Sequence, residues 1–425
     1  CSWHENPLLI PWVAMNTPLR ILSVVGARPN FMKIAPFARA IEVHNAAEPD
    51  RPIEHCLLHT GQHYDAAMSA SFFDALGIPQ HDIDLGIGSG SHAEQVGKTM
   101  MAFEAVLRER RPDWVIVVGD VNATCACSIT AKKEHIQLAH IEAGLRSFDL
   151  DMPEEINRLV TDRLSDRLFV TDELAAGNLR AEGVPEDKIR FVGNVMIDTL
   201  DANAAKAKDL TIGDIINGAA IPPPDPSPLG APSGSERDGE DSRAKAQRSP
   251  RGDGFAGGEY ALMTLHRPSN VDDPAVLGSL VDFFTQTVCK DMPLVWTLHP
   301  RTRERLVSFG LWDQVVGCEG LWLVNPLGYH ELLRLNMDAR VFFTDSGGLQ
   351  EECCVLGTPC VTLRFNTERP VTLVEYDGVS TLVGNDLTKI SDTYHASLAL
   401  ARRPHRPPLW DGHTAERIVA DLVAG

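Results

Sequence analysis

VFFTDSGGLQEECCVLGTPCVTLRFNTERP, residues 341–370, sets the architecture of the whole chain. Val341, Phe342 and Phe343 form a short apolar run that reads as a buried strand. A polar turn from Thr344 to Gly348 follows, and helical character runs from Leu349 to Leu356. Gly357-Thr358-Pro359 stops that helix, and Cys360 to Leu363 reads as the next strand. Strand, loop, helix and strand in this order build a parallel sheet. Ser346, Gly347 and Gly348 stand just before the helix, where close-approaching N–H groups and the positive helix end favour a phosphate. Glu351 and Glu352 lie one turn further in, and a carboxylate there suits ribose hydroxyls better than the phosphate itself.

The same alternation continues on the N-terminal side. Ile21 to Val25 reads as a first strand, followed by the loop Gly26-Ala27-Arg28-Pro29-Asn30 and a helix from about Phe31. That loop lacks the G-x-G-x-x-G pattern and offers Arg28 and Lys33 instead, two cations suited to a diphosphate. Cys56–Leu58 leads to HTGQHYD, Val115–Val118 to Gly119-Asp120, and Leu138–Ile141 to Glu142; the next loop brings Met152-Pro153-Glu154. Asp120, Glu142 and Glu154 are thereby presented by three loops at one end of one sheet. Carboxylates gathered beside phosphate-binding cations are costly unless they have work to do. Leu168–Thr171 and Phe191–Asn194 read as the last strands of this half, with Gly193-Asn194 as a hinge. Tyr260–Leu265 restarts a sheet with His266 in its exit loop, and Val295–Leu298 and Leu321–Val324 follow. Trp410–Ala424 carries Ile418, Val419 and Leu422 in helical register.

DSGGLQEE, GTP and TERP, together with GARPNFMK, HIEAGLR and MPEEINR, resemble the signature of the non-hydrolysing UDP-N-acetylglucosamine 2-epimerases, in the same order from about Leu19 to the C-terminus. The resemblance implies an α/β fold of glycosyltransferase-B type, two Rossmann-like domains with parallel sheets facing a central cleft. The first domain is expected over 19–193, joined by a C-terminal helix over about 408–425, and the second, nucleotide-binding one over 194–407. Residues 1–18 read as a disordered extension, with Met15 the expected start. The stretch 218–258, about half Gly, Pro and Ser, reads as a disordered insertion. The resemblance further implies catalytic roles for Asp120, Glu142, Glu154 and His266. It implies nucleotide-sugar binding by Arg28, Lys33, Ser346, Gly347, Gly348 and Arg369, with Glu352 on the ribose. Gln62 and His63 match a pair that contacts a second, regulatory nucleotide sugar, although Asp65 departs from that pattern. A homodimer is the family expectation.

Composition narrows the remaining possibilities. The 425 residues carry a formal net charge of −19, with 39 basic and 58 acidic side chains. Such a balance disfavours nucleic acid and anionic membranes, so any phosphate site must be local. Nine cysteines fit no zinc spacing and read as small core residues in a reducing cytoplasm. No run approaches the ~20 apolar residues of a membrane span. An epimerase working through a nicotinamide would need a glycine-rich dinucleotide turn and a Tyr-x-x-x-Lys pair. None of the five tyrosines has a lysine four residues on, and the first turn is GARPNF. The expected chemistry therefore uses no redox cofactor, and no metal is expected: UDP is eliminated to 2-acetamidoglucal and added back.

Overall fold

The computed structural model describes residues 17–61, 76–77, 80–221, 255 and 257–425, and holds two wholly parallel sheets. The first has seven strands in the order β3-β2-β1-β4-β5-β6-β7: β1 (Leu19–Val25), β2 (Ile53–His59), β3 (Ile83–Asp84), β4 (Trp114–Val118), β5 (Gln137–Ala143), β6 (Arg167–Val170) and β7 (Ile189–Phe191). The second has six in the order β10-β9-β8-β11-β12-β13: β8 (Ala261–Thr264), β9 (Leu294–Thr297), β10 (Leu321–Val324), β11 (Val341–Thr344), β12 (Cys360–Thr362) and β13 (Ser380–Leu382). Central strands such as β4 and β11 are buried along their whole length because helices cover both faces. The α/β, two-sheet architecture expected from the sequence is therefore present.

Local chemistry explains most element ends. The helix Arg28–Ala47 begins earlier than the expected Phe31. Pro29 supplies a preset first-turn dihedral, and Asn30 Oδ1 accepts the N–H groups of Gly26 and Ala27 at 3.2 and 2.9 Å. Asn30 Nδ2 also donates to Val118 O at 3.0 Å, tying the β1 exit to the end of β4. The helix Gly347–Leu356 likewise begins two residues before Leu349 and is closed by Gly357 at φ +74. The expected strand Phe191–Asn194 is displaced to Ile189–Phe191, because Gly193 turns at φ +95.

The expected insertion over 218–258 is shorter at both ends than composition suggests. The helix Ile212–Ala219 continues through Gly218, and Ile221 N–H donates to Leu323 O at 2.9 Å. Phe255 is buried edge-on against Tyr260 and Trp322. The rest of that segment, and the expected N-terminal extension through residue 16, lie outside the described residues.

Both chain crossings between the sheets meet at one place. Gly193 leads out of the first domain, and a Cβ there would stand 2.1 Å from the carbonyl oxygen of Leu409 on the returning segment. The C-terminal helix Thr414–Ala424 then packs against the helices Arg28–Ala47 and Val195–Lys208. Asp198 accepts the N–H of Ala415 at 2.7 Å, and the Trp410 indole donates to Thr171 O at 2.9 Å. No helix among the described residues is long and apolar enough to cross a membrane.

Candidate active site

In each sheet the strand order reverses between two adjacent central strands, β1 and β4 in the first and β8 and β11 in the second. Ligands of doubly wound sheets bind beyond the carboxyl ends of the strands at this point. Lys33, one turn into its helix, is buried and its Nζ pairs with Glu142 Oε2. Glu142 reaches it because β5 slips register against β6 between Ile141 and Ala143, and because the Glu142 backbone turns left-handed at φ +71. A bulge re-aims a side chain, and a left-handed non-glycine residue stores about 1–3 kcal/mol, so this placement is held by its surroundings. Gly119, at φ +68, leaves the room: a Cβ there would lie 3.2 Å from Lys33 Nζ.

Asp120 is half-buried and bound by Arg158, whose guanidinium also grips Glu155, with Nε 2.9 Å from Oε2. Glu155 is fully buried and accepts the N–H groups of Ser147 and Phe148, each at 3.0 Å. Its neighbour Glu154 is exposed in the first turn of the helix Pro153–Leu164, near enough for its charge to act on Arg267 of the second domain. Adjacent glutamates therefore have opposite surroundings: Glu155 braces the loop and Glu154 faces the cleft.

On the opposite rim, Asp345 follows β11 and is fully buried. It accepts the N–H groups of His266 and Arg267 at 2.9 and 2.8 Å and Asn270 Nδ2 at 3.1 Å, and it pairs with His266 Nδ1 at 2.7 Å. Burial would raise its carboxyl, but the His266 bond and charge and the two backbone donors hold it below the usual range. The carboxylate thus fixes the His266 ring while leaving that side chain 40% exposed. Ser346, Gly347 and Gly348 form the helix start beside it. A Cβ on Gly347 would stand 2.5 Å from Glu368 Oε1 and 2.6 Å from Arg369 Nη1, whereas Gly348 has nothing within 4 Å.

Arg369 is buried between Glu368 and Glu351, with its Nε 2.8 Å from Glu351 Oε1. Glu368 also binds Arg364 at 2.6 Å, and burial notwithstanding, Arg369 and Arg364 hold its carboxyl well below the usual range. Glu351 accepts Asn194 Nδ2 at 2.9 Å from the interdomain connection. Glu352 turns to the other side of the helix, buried and facing Tyr329 and Asn336; burial, reinforced by the Glu351 charge, pushes it up to about 8.

The two rims act on each other electrostatically. Burial alone would lower the Arg369 guanidinium, but Glu351 and Glu368, then Glu142 and Asp120 from the first domain, raise it. Burial raises Glu351, and Glu142 adds to that against the pull of Arg369 and Lys33. The structure thus groups Lys33, Asp120 and Glu142 with Arg369, sets His266 on Asp345 at the same rim as the Ser346–Gly348 turn, and leaves Glu352 outside that cluster. The Arg28 side chain, Gln62 and His63 lie outside the described residues. Sequence reading missed Arg158, Glu155, Asp345, Arg364 and Glu368 as parts of the site, and it set Glu351 beside the ribose, whereas its carboxylate pairs with Arg369 and Asn194. One pair had a usable signal: Glu155 and Arg158 are three apart, as paired charges are on one helical face, whereas Arg364 and Glu368 pair within a loop.

The sequence model of the family described as UDP-N-acetylglucosamine 2-epimerase matches residues 45–221 and 235–423. The chain belongs to that family. Among curated members, the UDP-N-acetylglucosamine 2-epimerase of Methanocaldococcus jannaschii is 37% identical over 409 residues, covering 96% of this chain and 100% of that protein. The UDP-2,3-diacetamido-2,3-dideoxy-D-glucuronate 2-epimerase of Pseudomonas aeruginosa is 37% identical over 408 residues, covering 96% and 99%. The crystal structure of the M. jannaschii UDP-GlcNAc 2-epimerase in complex with UDP-GlcNAc and UDP superposes with a TM-score of 0.79 at 36% identity, covering 96% of this chain and 100% of that one. The epimerase fold thus extends over nearly the whole of this family member.

Proposed function

We propose that this enzyme reversibly inverts C2 of UDP-N-acetylglucosamine to give UDP-N-acetylmannosamine, a precursor for surface polysaccharide. The observation that carries the reading is the meeting of Lys33, Asp120 and Glu142 from one sheet with Arg369 from the other, across a cleft whose second rim starts a helix at Gly347. The C2 proton of the substrate has no adjacent carbonyl, so direct abstraction is too costly. Breaking the C1–O bond first sends its electron pair to UDP and builds positive charge at C1, which acidifies C2–H. A base then takes that proton to leave 2-acetamidoglucal, and UDP adds back to C1 as an acid delivers a proton to the other face of C2. Asp120, Glu142 and Glu154 are the proton-transfer groups of this scheme. Lys33, Arg369, His266 and the Ser346–Gly348 turn hold the departed UDP, with Arg28 beside Lys33. Glu352 serves the ribose.

Turnover in D₂O tests this reading, because each passage through the glucal must leave deuterium at C2. Tight UDP-sugar binding with no exchange would instead indicate a sensor that kept the fold and lost the chemistry. The P. aeruginosa relative supports a second reading, in which the substrate is a 2,3-diacetamido uronic acid linked to UDP; its identity matches that of the M. jannaschii relative. Supplying each sugar separately and resolving the products by anion exchange distinguishes the two.

A further inference from the structure

Away from the cleft cluster, two histidines and an aspartate converge at the edge of the first sheet. His59 ends β2, Asp84 ends β3 in register with it, and His81 lies three residues before Asp84. His59 Nδ1 stands 3.7 Å and His81 Nε2 3.6 Å from the same carboxylate oxygen, Asp84 Oδ2. One ligand atom from each of the three lies within 4.8 Å of the others. Tetrahedral zinc with nitrogen and oxygen ligands at about 2.0–2.1 Å separates them by about 3.3 Å, so two of the three spacings are already within a few tenths of an ångström.

The surroundings favour the same use. Asp84 Oδ1 accepts the Gly86 N–H at 2.8 Å, which orients the carboxylate and leaves Oδ2 towards the rings. Such outer-shell bonds are what fix metal-ligating carboxylates. The other nearby acid, Asp82, is committed elsewhere, accepting the Leu57 N–H at 2.7 Å.

We propose that His59, His81 and Asp84 form a zinc site. Two imidazoles and one carboxylate suit that ion, with the fourth position open. Its place in the fold suggests what it does. β3 has only two residues, paired to β2 through Leu58–Ile83 and His59–Asp84, so an ion across His59 and Asp84 would staple an edge strand. The His59 ring also packs on Phe31, at 5.2 Å between centroids, in the helix that carries Lys33. Zinc would therefore brace the element beneath the phosphate-binding lysine without touching the reacting atoms.

The test uses the full, untagged chain stripped with chelator and titrated with Zn²⁺ alone by calorimetry, with Co²⁺ as a spectroscopic stand-in. About one equivalent should bind in a distinct tight step, Co²⁺ should give the intense visible bands of a low-coordinate site, and Zn²⁺ should raise the melting temperature. His81→Ala and Asp84→Asn should each lose the tight step and the zinc-dependent thermal shift while melting like the metal-free parent. Asp84→Asn keeps the side-chain shape, so its loss reports ligation rather than packing. Retention of the tight step in either variant, or absence of any step below millimolar Zn²⁺ in the parent, overturns the site.

Discussion

Glu352 carries a cost that the folded protein must bear. Its carboxyl is raised from 4.5 to about 8, first by burial and then by Glu351. Below pH 4.5 both folded and unfolded chains hold the proton and nothing is lost. As pH rises from there towards 8, the unfolded chain gives up the proton more readily and stability falls, with the full deficit present above 8. Glu352→Gln should therefore melt higher than the parent at pH 8, with the gain shrinking towards pH 5; equal gains at both would show that the carboxyl is not raised. If the same group takes the ribose, calorimetry with UDP alone should show affinity falling about ten- to a hundredfold in that variant. The adjacent pair 154/155 makes a second contrast. Glu154→Gln should lose about 10²–10⁴-fold in kcat and leave the melting temperature nearly unchanged. Glu155→Gln breaks a buried ion pair with Arg158 and should cost about 3–5 kcal/mol in denaturant unfolding. Asp120→Asn and Glu142→Gln should each lose most turnover while still binding UDP, and near-parent activity in either removes it from the chemistry. At this scale the sequence is only partly legible. MPEEINR offers two glutamates, and only the helix start decides that Glu155 turns inward. Asp345 was hidden because an aspartate after a strand reads as an ordinary turn residue until its partner, 79 positions away, is known.

The turn before the helix Gly347–Leu356 depends on two glycines for different reasons. Gly347 gives way to the Glu368–Arg369 pair, whereas Gly348 faces open space. Gly347→Ala should lower both the melting temperature and UDP affinity, because either the ion pair or the turn must shift. Gly348→Ala should leave stability within about 0.5 kcal/mol and weaken only UDP, since its Cβ would intrude where backbone N–H groups meet phosphate. Measuring unfolding and UDP binding on both variants checks the split; matching losses in the two would contradict it. Long apolar runs such as WVIVV and VFFT made β4 and β11 readable, because a strand buried on both faces has no polar alternation to confuse it. β3 and β13 were not readable: Ile83-Asp84 and Ser380-Thr381-Leu382 are too short and polar to stand out, and only their neighbours' unpaired edges call them into the sheet. The bulge that turns Glu142 has no sequence mark either, since nothing in HIEAGLR demands a left-handed glutamate.

Across the whole molecule, the net charge of −19 is compatible with the proposed diphosphate site because cations of both halves are gathered there locally. Lys33, Arg158, Arg267, Arg364 and Arg369 come from both halves, and each is partnered by a carboxylate or a carbonyl. Asn366 Nδ2 of the second half donates to Asp149 Oδ2 of the first at 3.2 Å, and the connecting segment is tied to the second half through Asn194 to Glu351 and Asn203 to His330 at 2.7 Å. Gly193→Ala should disturb this arrangement. A Cβ on a residue at φ +95 would collide with Leu409 O, so the variant should melt lower and shift kcat and KM together, although position 193 touches no group in the proposed chemistry. A change in KM alone would argue against it. The contact of Gly193 with Leu409 also has a geometric consequence. Two crossings at one spot make a fulcrum, and the domains become a pair of jaws whose reach multiplies small angles. A rotation of about 5° there carries a side chain about 20 Å away through about 2 Å, enough to unseat a proton donor from its acceptor. Sensitivity to alignment is thus lodged at the fulcrum, where a single added methyl would be felt as a misfit at the jaw tips.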